Sequence, residues 1–366
     1  MYIEQISLSN FRNYASAQLD LAPQGITLLQ GDNGAGKTNL LEAVAYLATM
    51  RSFRGAPSAA LIRNGEQQAV LRAQAQRPGR SMLVEIELNV AGKDKVRLNR
   101  QPVRRTEELL GAVVATVFSP DDIEMVKGSP QSRRDYMDDL LAALHAKHAA
   151  ARSELERVLR QRNALLRSAN GSLRPGMAAT LDVWDSKLAS IGEEIARARQ
   201  SLVSSLQPEV SSAYGQLSGT PTTVADGPVV LRYEKSWEQP LMAALAESRA
   251  DDLRRGVTTV GPQRDDLFLG MSGLSARVQA SQGEQRSLAL ALRLGGHALV
   301  TERQGTSPVL LLDDIFSELD PGRCAALAAC LPVGQALLTA AGPVPVGLPV
   351  SAGARVTLGT VVPAGP

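Results

Sequence analysis

The chain has 366 residues and a mass of 38.9 kDa, a length for two domains or one large composite domain, and its 44% hydrophobic and 21% charged residues exclude a disordered or fibrous protein. Lys plus Arg at 39 against Asp plus Glu at 37 leaves a net charge of +2, which excludes a nucleic-acid coat that is basic all over and leaves local basic faces open. Only 4% of residues are aromatic, too few for an extended base-stacking platform, and 2 Cys with 3 His and no Cys-x-x-Cys support neither a disulfide framework nor a zinc site.

The N-terminus, Met1-Tyr2-Ile3-Glu4-Gln5-Ile6, has no basic region leading into an apolar one. No export signal is therefore expected, and Cys324 and Cys330 read as buried, reduced thiols of a cytoplasmic protein. Over residues 1–120, short β-rich runs alternate with turn signals. Candidate strands are Tyr2 to Leu8, Ile26 to Gln30, Val70 to Gln76, Leu83 to Val90, Val96 to Leu98 and Val113 to Phe118, with one helical pattern from Lys37 to Met50. Between the second strand and that helix, Gly31-Asp32-Asn33-Gly34-Ala35-Gly36-Lys37-Thr38 fits G-x-x-x-x-G-K-[ST]. Glycines let such a loop wrap around phosphate with its N–H groups pointing inward. Lys37 then reaches the β- and γ-phosphates, the Thr38 hydroxyl holds Mg²⁺, and the helix N-terminus adds a favourable dipole.

The pattern changes over residues 121–256. From Gln131 to Arg167 there is no proline or glycine, and Met137, Leu141, Leu144, Ala151, Leu155, Val158 and Leu165 fall at spacings of three and four; His148 and Arg162 interrupt this seam. After turn residues at Asn170-Gly171-Ser172 and Arg174-Pro175-Gly176, a second seam runs through Leu181, Trp184, Leu188, Ile191, Ile195, Ala198 and Leu202 before Pro208. Two heptad helices joined by a short loop run antiparallel, as a coiled-coil-like arm or as two core helices of a bundle. A helix around Leu241 to Leu253 completes the region.

The β/α rhythm returns over residues 257–342. Strands are expected at Leu267 to Met271, Ala276 to Ala280, Val309 to Leu312 and Ala336 to Thr339, with helices from Gly283 to about Thr301 and from Pro321 to Leu331. The apolar stretch from Ala325 to Gly342 is broken by Pro332, Gly334 and Gln335 and reads as a helix and a buried strand, not as a membrane span. Val309-Leu310-Leu311-Leu312-Asp313-Asp314 is a buried strand ending in two carboxylates, the first suited to Mg²⁺ and the second to orienting an attacking water. Ser281-Gln282-Gly283-Glu284-Gln285 opens a helix, either as an anion site or as a plain capping box of Ser281 with Glu284. Residues 343–366 are rich in Pro, Gly, Ala and Val and hold either a last strand at Arg355 to Thr360 or a frayed tail.

A phosphate loop, an S-x-G-E-Q element ahead of a strand ending in Asp313-Asp314, and Ser317-Glu318-Leu319-Asp320 just after it resemble an ABC-type ATPase head. Within that class, Leu8-Ser9-Asn10-Phe11-Arg12-Asn13-Tyr14, Gly261-Pro262-Gln263-Arg264-Asp265-Asp266-Leu267, and Ser119-Pro120-Asp121-Asp122 with Lys127-Gly128-Ser129-Pro130 and Arg133-Arg134 are similar to the RecF family, from Met1 to about Thr339. The resemblance implies an α/β fold, an ABC-type P-loop ATPase head with an inserted helical arm, with ATP and Mg²⁺ as cofactors. Lys37 and Thr38 would bind nucleotide and Mg²⁺, Asp313 would be the Walker B ligand, and Asp314 would stand where ABC heads carry the catalytic Glu. Ser281 and Gly283 would touch the γ-phosphate of nucleotide held by a second copy, Asp320 would lie across that interface, and Arg12 and Asn13 would lie near the nucleotide. Two departures stand out: no Gln near Ser119 marks the Q-loop position, and the strand near Thr339 offers no switch His.

The resemblance also implies a weak DNA-dependent ATPase that dimerises on duplex, gapped or junction DNA. It would assist recombinase loading in DNA repair with RecO- and RecR-type partners, away from any membrane. Charge gives local support. Lys147, Arg152, Arg157, Arg160, Arg162, Arg167 and Arg174 face only Glu154 and Glu156, and Lys93, Lys95, Arg97, Arg100, Arg104 and Arg105 face only Asp94, each a local +5. A transporter-type ATPase subunit, an SMC-like structural ATPase and a non-hydrolysing adaptor are the alternatives. The long insertion between Thr38 and Ser281 argues against the first, and the shortness of its helices against the second.

Overall fold

The fold is given by a computed structural model, which describes residues 1–103, 109, 111–172, 174–219 and 229–363. In chain order the first elements are β1 (Tyr2–Phe11), β2 (Tyr14–Asp20), β3 (Gly25–Gln30), α1 (Lys37–Thr49), β4 (Gln68–Arg77), β5 (Arg80–Asn89), β6 (Lys95–Leu98), β7 (Gln101–Pro102) and β8 (Ala115–Phe118). There follow α2 (Glu124–Lys127), α3 (Pro130–Leu144), α4 (Ala146–Ala169), α5 (Met177–Ser218), β9 (Val229–Glu234), α6 (Leu241–Arg255), β10 (Asp266–Met271), β11 (Leu274–Ser275) and α7 (Ala276–Gln279). The chain closes with α8 (Gln282–Gln304), β12 (Val309–Asp313), α9 (Pro321–Cys330), β13 (Gln335–Ala340), β14 (Val350–Thr357) and β15 (Thr360–Pro363). Two compact units result: Met1–Asp122 with Glu209–Val224 and Arg286–Pro366, and Ile123–Pro208 with Ala225–Gln285.

The first unit contains two six-stranded sheets. One is an antiparallel meander ordered β2-β1-β4-β5-β6-β7. Its strands alternate as a half-buried sheet requires: Ala69, Leu71, Ala73 and Ala75 of β4 and Met82, Val84, Ile86 and Leu88 of β5 are buried. The other sheet is ordered β15-β14-β3-β13-β12-β8 and is parallel except for β15. Its inner strands read as continuous apolar runs because both faces are covered; all of β12 and β13 is buried. Helix α1 packs on β1, β4 and β5 of one sheet and on β8, β12 and β13 of the other. Leu40 to Ala48 are buried without a break, as in a helix enclosed on all sides, and apart from Glu42 and the Tyr46 hydroxyl their side chains are apolar. Gln335, which interrupts the apolar pattern in sequence, is 1% exposed and ties the sheets together. Its amide accepts from Ile3 N–H at 2.8 Å and donates to the Ile3 and Ala22 carbonyls at 2.7 and 2.8 Å.

The second unit combines α2 to α4, most of α5, α6, α7 and the antiparallel sheet β11-β10-β9. The loop after α4 returns the chain so that Arg162 of α4 meets Asp185 of α5 at 2.7 Å. A third helix shares the contact, because Arg162 also donates to Asp252 of α6 at 2.7 Å and to Thr258 at 2.9 Å. Arg133 forms a fork with Asp266 at 2.7 and 2.8 Å, and Arg199 forms another with Asp138 at 2.9 Å in both arms.

Several expectations are corrected. The proline- and glycine-free run from Gln131 to Arg167 is two helices, because His145 turns extended (φ −158°, ψ 128°) and its ring caps α4 by accepting from Lys147 N–H. Helix α5 does not stop at Pro208 but continues to Ser218, and the chain passes from the second unit to the first at Pro208–Glu209. Of residues 276–280, expected as a strand, Ala276–Gln279 form α7 and Ala280 ends it, with Val278 77% exposed where a buried strand would hide it. Residues 257–285 fall in the second unit, because β10 pairs with β9 and β11. Strands β2 and β9 have no counterpart among the expected strands. The terminal strand is a hairpin, broken at Leu358–Gly359 by positive φ angles of 36° and 81°. Cys324 and Cys330 are free and half-buried instead of buried.

Candidate nucleotide-binding site

Strand β3 delivers Gly31 to the edge of the parallel sheet and α1 starts at Lys37, so Gly31 to Gly36 form the loop between them. Gly34 and Gly36 have φ of +80° and +113°, a region that favours glycine. A Cβ on Gly36 would lie 2.4 Å from the Asn13 amide nitrogen and 2.9 Å from the Tyr14 hydroxyl, and one on Gly31 would lie 2.1 Å from the Val356 carbonyl oxygen. Gly31 is thus dictated by close approach of backbone, and Gly36 by its positive φ and the Asn13 and Tyr14 side chains packed against it. Helix α1 has no side-chain cap, and with Asn39 N–H bonded to the Gly36 carbonyl at 3.0 Å the N–H groups of Lys37 and Thr38 suit an anion. Lys37 is 7% exposed, and its ammonium folds over the loop to donate to the Gly31 and Asp32 carbonyls at 2.7 and 2.9 Å. Asp32, Asn33 and Gly34 form the exposed lip, and Ala35 is buried beneath it.

The carboxylates come from β12, which lies one strand from β3 across β13. The Thr38 hydroxyl donates to Asp313 Oδ1 at 2.8 Å, bringing together two residues that lie 275 positions apart in the chain. Burial raises the Asp313 pKa above the ordinary carboxylate range, and the nearby Asp314 charge adds to this; the hydroxyls of Thr38 and Thr339 oppose the shift. Asp314 has φ of +49°, an uncommon backbone conformation for a residue other than glycine. Thr339 holds this corner. Its hydroxyl donates to Asp313 Oδ1 at 2.8 Å and accepts from Asp314 N–H at 2.9 Å. Sequence reasoning passes over Thr339 because it looks there for a histidine, and only the pairing of β13 with β12 brings this hydroxyl to the two acids.

Asn13 and Arg12 take different places. The Asn13 amide donates to the Ala35 carbonyl at 2.9 Å and accepts from Asn39 at 2.8 Å, so it touches the loop directly. Tyr14, also missed, donates its hydroxyl to the Gly36 carbonyl at 3.0 Å. Arg12 instead forms a fork with Glu42 of α1 at 2.8 Å in both arms and reaches the Ala60 carbonyl at 3.1 Å. Glu42 is fully buried, so Arg12 supports the helix behind the loop. In the second unit, Ser281 is exposed and makes the reciprocal capping box with Glu284: Ser281 N–H and Oγ donate to the carboxylate at 2.8 and 2.7 Å. Gly283 stands in the first turn of the same helix. Asp320 caps α9 by accepting from Arg323 N–H at 3.0 Å.

Oxygen donors define what this site can hold. Among the described residues no group of three or more His, Cys, Asp or Glu is placed to enclose a metal. Thr38 and Asp313 alone suit a hard cation that keeps several waters and shares phosphate oxygens, which is the habit of Mg²⁺. The basic segments are less available than their charge suggests. Arg162 is fully buried, Arg152 is surrounded by Asp135, Asp138, Asp139 and Glu156, and Arg157 pairs with Glu154. Lys95 and Arg97 face Glu87, and Arg104 and Arg105 lie outside the described residues. No helix among the described residues is long and apolar enough to cross a membrane.

Fold and loop together define the class, an ABC-type ATPase head carrying a helical insertion. A profile of the RecF/RecN/SMC N terminal domain matches residues 2–336. The curated DNA replication and repair protein RecF of Streptomyces avermitilis is 44% identical over 357 residues, covering 93% of this chain and 94% of its own. That of Frankia alni is 44% identical over 356 residues, covering 93% of each chain. A solved structure of the recombination mediator protein RecF-ATP in the RecFOR pathway matches with a TM-score of 0.89 at 28% identity, covering 100% of this chain and 98% of the other. An SMC head bound to the C-winged helix domain of ScpA matches at a TM-score of 0.57 and 16% identity over 100% and 98% of the chains, a likeness of fold alone. The chain belongs to the RecF/RecN/SMC family, in its RecF branch.

Proposed function

We propose that the chain is an ATP-gated DNA-binding switch of replication and recombinational repair. The observation that carries the reading is the 2.8 Å contact between Thr38 and Asp313, which joins the phosphate loop to the acidic strand end at one point. Lys37 and the loop N–H groups would hold the phosphates, with Thr38 and Asp313 holding Mg²⁺. Bound there, Mg²⁺ would offset phosphate charge. Asp314 would orient water; it is one methylene shorter than the Glu of ABC heads, which favours slow turnover.

Ser281 and Gly283, with Asp320, would complete the site of a second copy, so that two copies associate head to tail through nucleotide and part on hydrolysis. The exposed position of Ser281 suits this role. The relatives' names, a DNA replication and repair protein and a recombination mediator of the RecFOR pathway, support a task in DNA repair; on this reading the chain would act on duplex or gapped DNA and help load recombinase with RecO- and RecR-type partners. A calorimetric titration tests the nucleotide step: Mg-ATP should bind the wild-type chain, and Lys37→Met should remove the heat of binding. Equal binding by both would refute it. A parallel titration of duplex, gapped and single-stranded DNA, each with and without ATP, tests the DNA step. Tighter binding of duplex or gapped DNA with ATP is the expected result.

A further inference from the structure

The last thirty residues lie beyond the stretch matched by the family profile, which ends at residue 336. They nevertheless reach the phosphate loop. Strand β14 pairs in parallel with β3, with Ala354 beside Leu29 and Arg355 beside Gln30, and so runs alongside the chain as it enters the loop. The Val356 carbonyl occupies the space a Cβ on Gly31 would take. Beyond it, the β14–β15 turn points back at the loop: Gly359 N–H donates to the Ala35 carbonyl at 3.2 Å. The same carbonyl receives the Asn13 amide at 2.9 Å. Ala35 is therefore held from two sides, by the β1–β2 turn and by the C-terminal hairpin. The two holders also abut each other, since a Cβ on Gly359 would lie 2.3 Å from the Asn13 carbonyl oxygen. With φ of +81°, Gly359 meets both demands only as glycine.

We infer that the C-terminal hairpin is a working part of the phosphate loop, with Gly359 as a positioning residue that pins Ala35 so that Gly34 to Thr38 keep an anion-binding shape. The inference rests on the nucleotide reading above for its consequence, but the tether itself is a property of the free chain. Preorganisation of the loop lowers the cost of ordering it around phosphate, so loosening it weakens nucleotide binding while leaving Asp313 and Asp314 at the strand end in place.

Two variants separate positioning from folding. Gly359→Ala places a methyl against Asn13, and insertion of one glycine between Leu358 and Gly359 moves the donor while keeping the β14–β15 pairing. Hydrogen exchange of the nucleotide-free protein should quicken at residues 31–38 in both variants and stay unchanged in β4 and β5. Mg-ATP should bind about tenfold more weakly, the effect of losing one well-made hydrogen bond, with KM for ATP raised and kcat kept. Unchanged loop exchange with unchanged affinity would overturn the tether, as would a lower melting temperature with neither of those effects. A wild-type chain that binds no Mg-ATP would overturn the nucleotide reading instead, and faster loop exchange in the variants would still support the tether.

Discussion

Thr339 shows how one hydroxyl can organise an acidic corner. It is 1% exposed, it bonds both Asp313 and the backbone of Asp314, and it is nearly isosteric with valine. Thr339→Val should therefore leave the part-buried Asp314 N–H without this acceptor and cost about 1–2 kcal/mol in urea unfolding, while Thr339→Ser keeps most of the stability. Asp313 and Asp314 are readable in sequence because an apolar strand ending in acids has few explanations beside a phosphate loop. Thr339 and Tyr14 are not, because their roles depend on which strands become neighbours. His297 offers a pH test in the same unit. Burial between Thr116 and Ser307 lowers its pKa to about 4 from an ordinary 6.5. Between those values the unfolded chain binds more protons than the folded one. The stability from neutral His297 is thus fully present above pH 6.5 and falls by about 3 kcal/mol as pH drops towards 4. Denaturant midpoints of the wild type and His297→Asn should lie furthest apart above pH 6.5 and converge near pH 4.

Element by element, what can be read depends on how local the signal is. Helix α1 and strands β3, β12 and β13 carry their own apolar patterns and turn residues, and they stand where expected to within a residue or two. The break at His145 has no proline or glycine to announce it, and α5 runs through a proline that would usually end a helix. Strand β2 is hidden because its sequence, Tyr-Ala-Ser-Ala-Gln-Leu-Asp, is too polar to read as a strand without β1 beside it. The arm illustrates the limit of counting charges: Arg162 belongs to the interior, sharing Asp185 and Asp252 between three helices. Asp185→Ala leaves the buried Arg162 Nε without its acceptor and the guanidinium facing Asp252 alone, and should destabilise the protein by about 2–3 kcal/mol in chemical unfolding. Arg160 and Arg167 are exposed, and Arg157 is half exposed. If these three touch DNA phosphates, neutralising them should reduce the salt slope of binding by about 0.9 for each phosphate no longer neutralised. An unchanged slope would remove the arm from the interface.

Across the whole molecule, the near-zero net charge conceals a division between acids around β12 and basic residues elsewhere, but much of the basic excess is spent inside the protein on paired carboxylates. The scarcity of aromatics remains informative, since it directs the proposed DNA contact to the backbone of duplex and away from stacked bases. The motifs of the head survive insertion of a second unit because they are readable one by one, whereas the C-terminal hairpin carries no motif and shows its connection to the loop only through backbone approach. Sedimentation velocity with Mg-ATP tests most directly the claim that two copies close over shared nucleotide. The wild-type chain should sediment as a dimer with Mg-ATP and as a monomer without it. Lys37→Met should stay monomeric for want of nucleotide, and Ser281→Arg should stay monomeric while still binding ATP. A dimer of equal strength in all three proteins, or a wild-type chain that remains monomeric with saturating Mg-ATP, would contradict the account.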